Sequence, residues 1–492
     1  MIVWDKTAFI YLLFAWICFF NPVNSSGQLN QSKSPTINQS PWNPSQVVGF
    51  EKEYDNHLKK LDQNNQHSNS SRSESDADKI YKKQNSNNHH YNPIVIPPAD
   101  IALRHQFIKS QAAKTVLTDK ENQLKIIQDL LNEDKIDDKV NPVKKNRTQD
   151  QKYLDCKRSF SEAYQMLLKM KQGKILYSLK DAVFIVENAY GVKTLSYSEY
   201  SKRIKEKVEL CKTILKEKKI SQANQIGLNY VIQKLFSEKI IRYKDSVKTI
   251  ISPYKYDHID FIGRKDLTKL FVTKLLKTGS GQCHSMPLLY MIIAEELNAK
   301  AYISYVPEHS FIRFTDKMGK LYNFEATNGH LVSDKWLMAS GYINTMALKS
   351  KIYLDTIGQK RLLNQCLSDL IIYYTAAAGY DMLTERMIKT LLEWDANNLA
   401  GNIFQSDLAF LKLKRQATKY SNPKVEEFPS YPELEKSYKE LTAIYDYIDN
   451  LGYQAMTVEE YDNWLRSLNE PKYKTENKNL HQQVTSTIGK QN

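Results

Sequence analysis

The sequence predicts an α+β fold, and three observations carry that expectation. Apolar positions recur at helical spacing between residues 153 and 236. A near-continuous apolar helix over 286–297 is then followed by three short strand patterns, and beyond about residue 361 the strand patterns stop. A helical layer, a small sheet and a second helical stretch therefore follow one another along the chain.

Taken in order, residues 153–171, 179–190, 196–216 and 224–236 read as amphipathic helices, with Ser196 as a polar cap ahead of one of them. Gly279-Ser280-Gly281 reads as a flexible approach to the apolar helix. Strands are expected over 301–306, 310–315 and 321–325. Helices over 366–374, 382–394 and 399–413 then alternate with turns at Gly379-Tyr380-Asp381 and Asp395-Ala396-Asn397-Asn398. A further helix covers 431–451, and Thr457-Val458-Glu459-Glu460 has the capping-box form that opens a last one ending near Leu468. From Asn469 the chain is polar and is expected to be a loose tail.

Composition limits the function classes. Only 41% of the 492 residues are hydrophobic, low for a chain folded throughout, so part of it is expected to be unfolded. Five cysteines exclude a disulfide scaffold, and no apolar run reaches the ~20 residues of a membrane-spanning helix. The formal net charge of +14 favours contact with anionic surfaces, although a lysine-rich helical chain reaches such a value without any partner. A basic stripe interleaved with stacking aromatics is missing, so nucleic acid is not an expected partner. The Gly-x4-Gly-Lys-Ser/Thr pattern of a phosphate loop is missing too, and no cofactor is expected.

The N-terminus points to export. An apolar run over 7–20 ends at Asn21-Pro22, and Ser25-Ser26-Gly27 offers small residues for cleavage, so residues 1–27 read as a signal peptide. An uncleaved anchor is the alternative. Residues 28–100 form a polar linker rich in Asn, Gln and Ser, and 101–152 are partly helical. A catalytic α+β domain is expected over 153–350 and an α-helical repeat over 360–468, before the tail at 469–492. Loss of Cys18 with the signal would leave Cys156, Cys211, Cys283 and Cys366, either as two disulfides or with one of them as a nucleophile.

The residues that carry chemistry lie in Gly281-Gln282-Cys283-His284-Ser285-Met286-Pro287, Pro307-Glu308-His309-Ser310-Phe311 and Asn323-Phe324-Glu325-Ala326-Thr327. Proline is tolerated only near the first turn of a helix, so Pro287 places a helix start close to Cys283. There the unpaired amides and the dipole favour the thiolate, the nucleophilic form. A three-residue loop over 316–318 would pair Thr315 with Gly319 and set Glu325 opposite His309, on the same sheet face. Cys283, His309 and Glu325 would then be nucleophile, base and orienter. His284 diverges from its neighbour and is a poor base for it, and His330 falls in a loop. Zinc held by Cys283, His284, His309 and His330 fits no familiar ligand spacing, and no metal is expected.

This stretch resembles the transglutaminase-like superfamily of papain-like cysteine enzymes. Gly281-x-Cys283, His309-x-Phe311 and Glu325-Ala326-Thr327 match the family's nucleophile, base and acid motifs over about 279–329. Two positions depart from it: the acid is Glu325 where the family usually has Asp, and His284 stands where an aromatic usually follows the cysteine. The spacing of the C-terminal helices resembles tetratricopeptide repeats, without most of that repeat's signature residues. The resemblance implies a thiol enzyme, exported on the N-terminal reading, that acts on amide bonds of a peptide or protein substrate, by hydrolysis or by acyl transfer through a thioester. Its rival is a degenerate domain that binds peptides or assembles with a protein partner through the helical repeat.

Overall fold

The computed structural model describes residues 147–491 apart from 192–193, 245–246, 260–262, 264–265, 455 and 457. The expected signal peptide, polar linker and most of the 101–152 segment lie outside the described residues. Among the described residues no helix is long and apolar enough to cross a membrane.

Four helices come first: α1 (Arg147–Lys171), α2 (Leu179–Ala189), α3 (Tyr197–Glu217) and α4 (Gln225–Ser237). Each of the last three starts at a side-chain cap. Ser178 accepts from Asp181 N, Ser196 and Glu199 form a reciprocal capping box, and Asn224 accepts from Gly227 N. On α3 the buried residues Tyr200, Ile204, Val208, Cys211 and Leu215 fall at i, i+3 and i+4 spacing, the stripe that faces the core.

A hairpin follows, β1 (Ile240–Lys244) with β2 (Val247–Ile251), then the short strand β3 (Lys255–Tyr256) and α5 (Val272–Thr278). Gly279-Ser280-Gly281 is not the flexible approach that its composition implies. Gly279 closes α5 in the left-handed conformation, and Ser280–Gly281 form β4, parallel to β3.

The helix α6 (Ser285–Leu297) is apolar all round and buried almost all round, the pattern of a helix at the centre of a domain. It packs against α2, α3, α4 and α5 and against β5 (Tyr302–Val306) and β6 (His309–Thr315). With β7 (Leu321–Glu325) and β8 (His330–Val332) these strands make an antiparallel sheet in the order β5-β6-β7-β8. The fold class is therefore α+β, as the sequence predicts.

The β6–β7 register differs from expectation. Thr315 pairs with Leu321 rather than Gly319, because Asp316 accepts from Met318 N and Lys320 N and folds a five-residue loop around its carboxylate. The shift is two residues, so side chains stay on their expected faces. The turn after β7 depends on Gly329, whose φ is +76° and whose added Cβ would lie 2.6 Å from Ser237 Cα. Gly329→Ala is expected to cost about 2–4 kcal/mol, read as a lower urea midpoint with unchanged slope.

Two short helices, α7 (Asp334–Met338) and α8 (Thr345–Lys349), precede α9 (Leu362–Ala378), α10 (Met382–Trp394), α11 (Leu399–Lys419), α12 (Pro432–Asn450) and α13 (Val458–Arg466). No strand occurs after residue 360 among the described residues. These helices do not stand apart from the rest. Leu363, Leu367, Leu370 and Tyr374 of α9 share one core with Phe160, Leu167 and Val183.

The tail expected to be loose is instead helix α14 (Pro471–Gln491). It packs on β8 and α4, burying Val484 and Ile488; Asn477 accepts from Leu331 N, and the Asn224 side chain donates to Ile488 O. Two buried apolar residues one turn apart are too sparse a stripe to read from sequence, and tertiary contacts supply the stability.

Candidate active site

Helix α6 begins at Ser285, two residues past Cys283, and Pro287 lies in its first turn, where a missing N–H costs nothing. Ser285 Oγ accepts from Gln282 N, and Ser310 Oγ on β6 donates to the Cys283 carbonyl. The backbone of Cys283 is thereby tied both to its helix and to the strand that carries His309.

Cys283, His309 and Glu325 come together. His309, the first residue of β6, has its side chain fully buried, and Nε2 lies 2.5 Å from Glu325 Oε2. Nδ1 lies 2.9 Å from the hydroxyl of Tyr461 on α13. The Cys283 thiol, half-buried, lies close enough to His309 and Tyr461 to be influenced by both, and its sulfur is 4.0 Å from the Glu308 carbonyl oxygen. Both ring nitrogens thus have a partner within hydrogen-bond distance, Glu325 at Nε2 and Tyr461 at Nδ1.

Glu325 is fixed in turn. Its Oε1 accepts from Thr327 N at 3.0 Å and from Thr327 Oγ1 at 2.7 Å, so the Glu-Ala-Thr sequence holds its own carboxylate. The two-residue register shift moves Glu325 off His309 by one pair, but both stay on one face, and the extra methylene of Glu spans the diagonal.

Electrostatics favour the charged pair. Burial opposes thiolate formation at Cys283, but His309, Tyr461 and His284 outweigh it and the thiol is held below its ordinary value. Burial likewise opposes an imidazolium at His309, and the charge of Glu325 with the bond to Cys283 overcomes it, so His309 is raised. Glu325 is lowered despite its burial, chiefly by His309 and then by Thr327. The other thiols differ. Burial raises Cys156 and Cys366, and pushes Cys211 up to about 12. None of the four is bridged.

Sequence reasoning missed three neighbours. Tyr461 lies 152 residues from His309, and Trp464, one turn further on, meets the ring edge-on at 5.6 Å while stacking on Trp336 at 4.5 Å. His284 pairs with Asp369 of α9 at 3.1 Å, which raises its pKa against the effect of burial. The cue for Tyr461 and Trp464 was limited to two aromatics three residues apart on a short helix. His330 lies at the start of β8, not in a loop. Among the described residues no group of three or more His, Cys, Asp or Glu side chains is placed to hold a metal ion.

Comparison with family models, with characterised proteins and with solved structures returns no match for this chain.

Proposed function

We propose that the protein is an exported, transglutaminase-like cysteine enzyme acting on amide bonds of a peptide or protein. The observation that carries this reading is His309, a fully buried imidazole with Glu325 on one nitrogen and Tyr461 on the other, close enough to the Cys283 thiol for each to shift the other. In the proposed reaction the Cys283 sulfur attacks the amide carbon. The amide of Cys283, at the helix start, stabilises the oxyanion. His309 gives its proton to the departing amine, which leaves a thioester on Cys283. Water or an acceptor amine, deprotonated by His309, then displaces the sulfur. Glu325 orients the ring and stabilises the imidazolium, and Tyr461 fixes Nδ1. The C-terminal helices, read as a tetratricopeptide-like repeat, are the part of the chain suited to contact a protein partner.

The rival reading, a catalytically degenerate peptide-binding module, is favoured by one observation. The Tyr461 hydroxyl lies 2.9 Å from Nδ1 and close to the thiol, so helix α13 covers the pair.

Alkylation rates separate the two. With iodoacetamide near pH 7, Cys283 is expected to label at least about tenfold faster than Cys156, the other half-buried thiol, and faster still than Cys211 and Cys366. Labelling no faster than Cys156 would remove the support for an activated nucleophile. Tyr461→Phe with fast labelling and no turnover on any peptide would favour the binding module.

A further inference from the structure

The β1–β2 hairpin exposes three large apolar side chains together. Ile241 is 52% exposed, Tyr243 69% and Ile250 55%. Ile241 pairs with Ile250 and Tyr243 with Lys248, so these four side chains share one face of a two-stranded sheet. Leu176, Met318 and Met382 are exposed singly, and Met338, Met346 and Leu348 on α7 and α8 are less exposed than the three hairpin residues.

The charge around this face is one-sided. Glu217 is paired with Arg242, Glu238 with Lys234 and Asp257 with Lys269. Lys239, Lys248 and Lys255 are exposed and form no ion pair among the described residues. Among the described residues these three carboxylates are thus neutralised while three ammonium groups remain. An aromatic with a polar tip, two branched aliphatics and flanking lysines are the residue types that settle at a lipid–water boundary.

We propose that the Ile241/Tyr243/Lys248/Ile250 face docks on an anionic lipid bilayer, with its apolar side chains at the headgroup boundary and Lys239, Lys248 and Lys255 against the lipid phosphates. The occupant is argued from charge: a neutral apolar partner would leave the three ammonium groups without counter-charge, and an anionic surface supplies it over the whole face. The proposal does not depend on the catalytic reading. The hairpin leads into β3, which pairs with β4, two residues before Cys283.

The test is co-sedimentation of the full chain with vesicles of phosphatidylcholine alone or with roughly one-third phosphatidylglycerol. Binding is expected to be at least about tenfold stronger to the anionic vesicles and to weaken as salt rises from about 0.1 M to 0.5 M. The triple variant Ile241→Ser, Tyr243→Ser, Ile250→Ser should lose about tenfold or more, with its Cys283 alkylation rate unchanged as a check on folding. The variant Lys239→Glu, Lys248→Glu, Lys255→Glu should lose the preference for anionic lipid. The proposal is overturned if the wild-type chain ignores anionic vesicles, or if the triple serine variant binds as well as wild type, which would assign binding to another part of the chain. Self-association without lipid that the serine variant abolishes, with no vesicle binding, would assign the face to a second copy and overturn it as well.

Discussion

Replacing His309 by alanine is expected to slow Cys283 alkylation near neutral pH by about tenfold or more and to lower any amide turnover by about 10³-fold or more. Both effects have one cause. Burial alone pushes the Cys283 thiol up, and His309 is the largest of the influences that bring it down. Without the ring, half-maximal alkylation should move to or above the ordinary thiol value of ~8.5. The helix start would still favour the thiolate, so some excess reactivity over Cys211 and Cys366 should persist. A profile that stays put in His309→Ala would assign the lowered thiol to the helix and His284 instead.

The elements around the site were legible because they carry local patterns. Pro287 marks the start of α6, and the strand expected over 321–325 matches β7 to the residue. Pairings that depend on a side chain's choice of partner were not. Asp316 takes two backbone amides and lengthens the loop, so the register moved by two; an odd shift would have sent Glu325 to the other face. The grouping of Cys283, His309 and Glu325 survived because the period of a strand is two. Tyr461, Trp464 and Asp369 come from helices whose sequences fix a buried face but not what that face meets. The tail helix α14 escaped for the same reason, since its stability comes from β8 and α4 rather than from its own residues.

Removing the Glu325 side chain should give the largest loss of stability. Glu325 and His309 have side chains with no solvent exposure, and deleting one partner of a buried ion pair strands the other, at a cost of about 3–5 kcal/mol. Glu325→Leu is therefore expected to unfold at much lower urea than wild type, and the gap should depend on pH. Glu325 is lowered in the folded protein, so its contribution is present above the unfolded carboxylate value of ~4.3 and is lost as pH falls through the folded one. His309 is raised, so its contribution is present below the unfolded imidazole value of ~6.5 and is lost as pH rises through its folded value. The difference between wild type and Glu325→Leu should thus be greatest between about pH 4.5 and 6.5 and decline on both sides. Glu325→Gln can still bond the ring and Thr327, so it should lose less stability while its pH dependence flattens, because the carboxylate charge that favours the imidazolium is gone. Glu325→Asp keeps the charge but is one methylene short of His309, and should fall between the two in stability. Urea unfolding of the four proteins from pH 4 to 9 reads all of this, and a wild-type-minus-leucine gap that does not vary across that range would mean the pair is a neutral hydrogen bond rather than an ion pair.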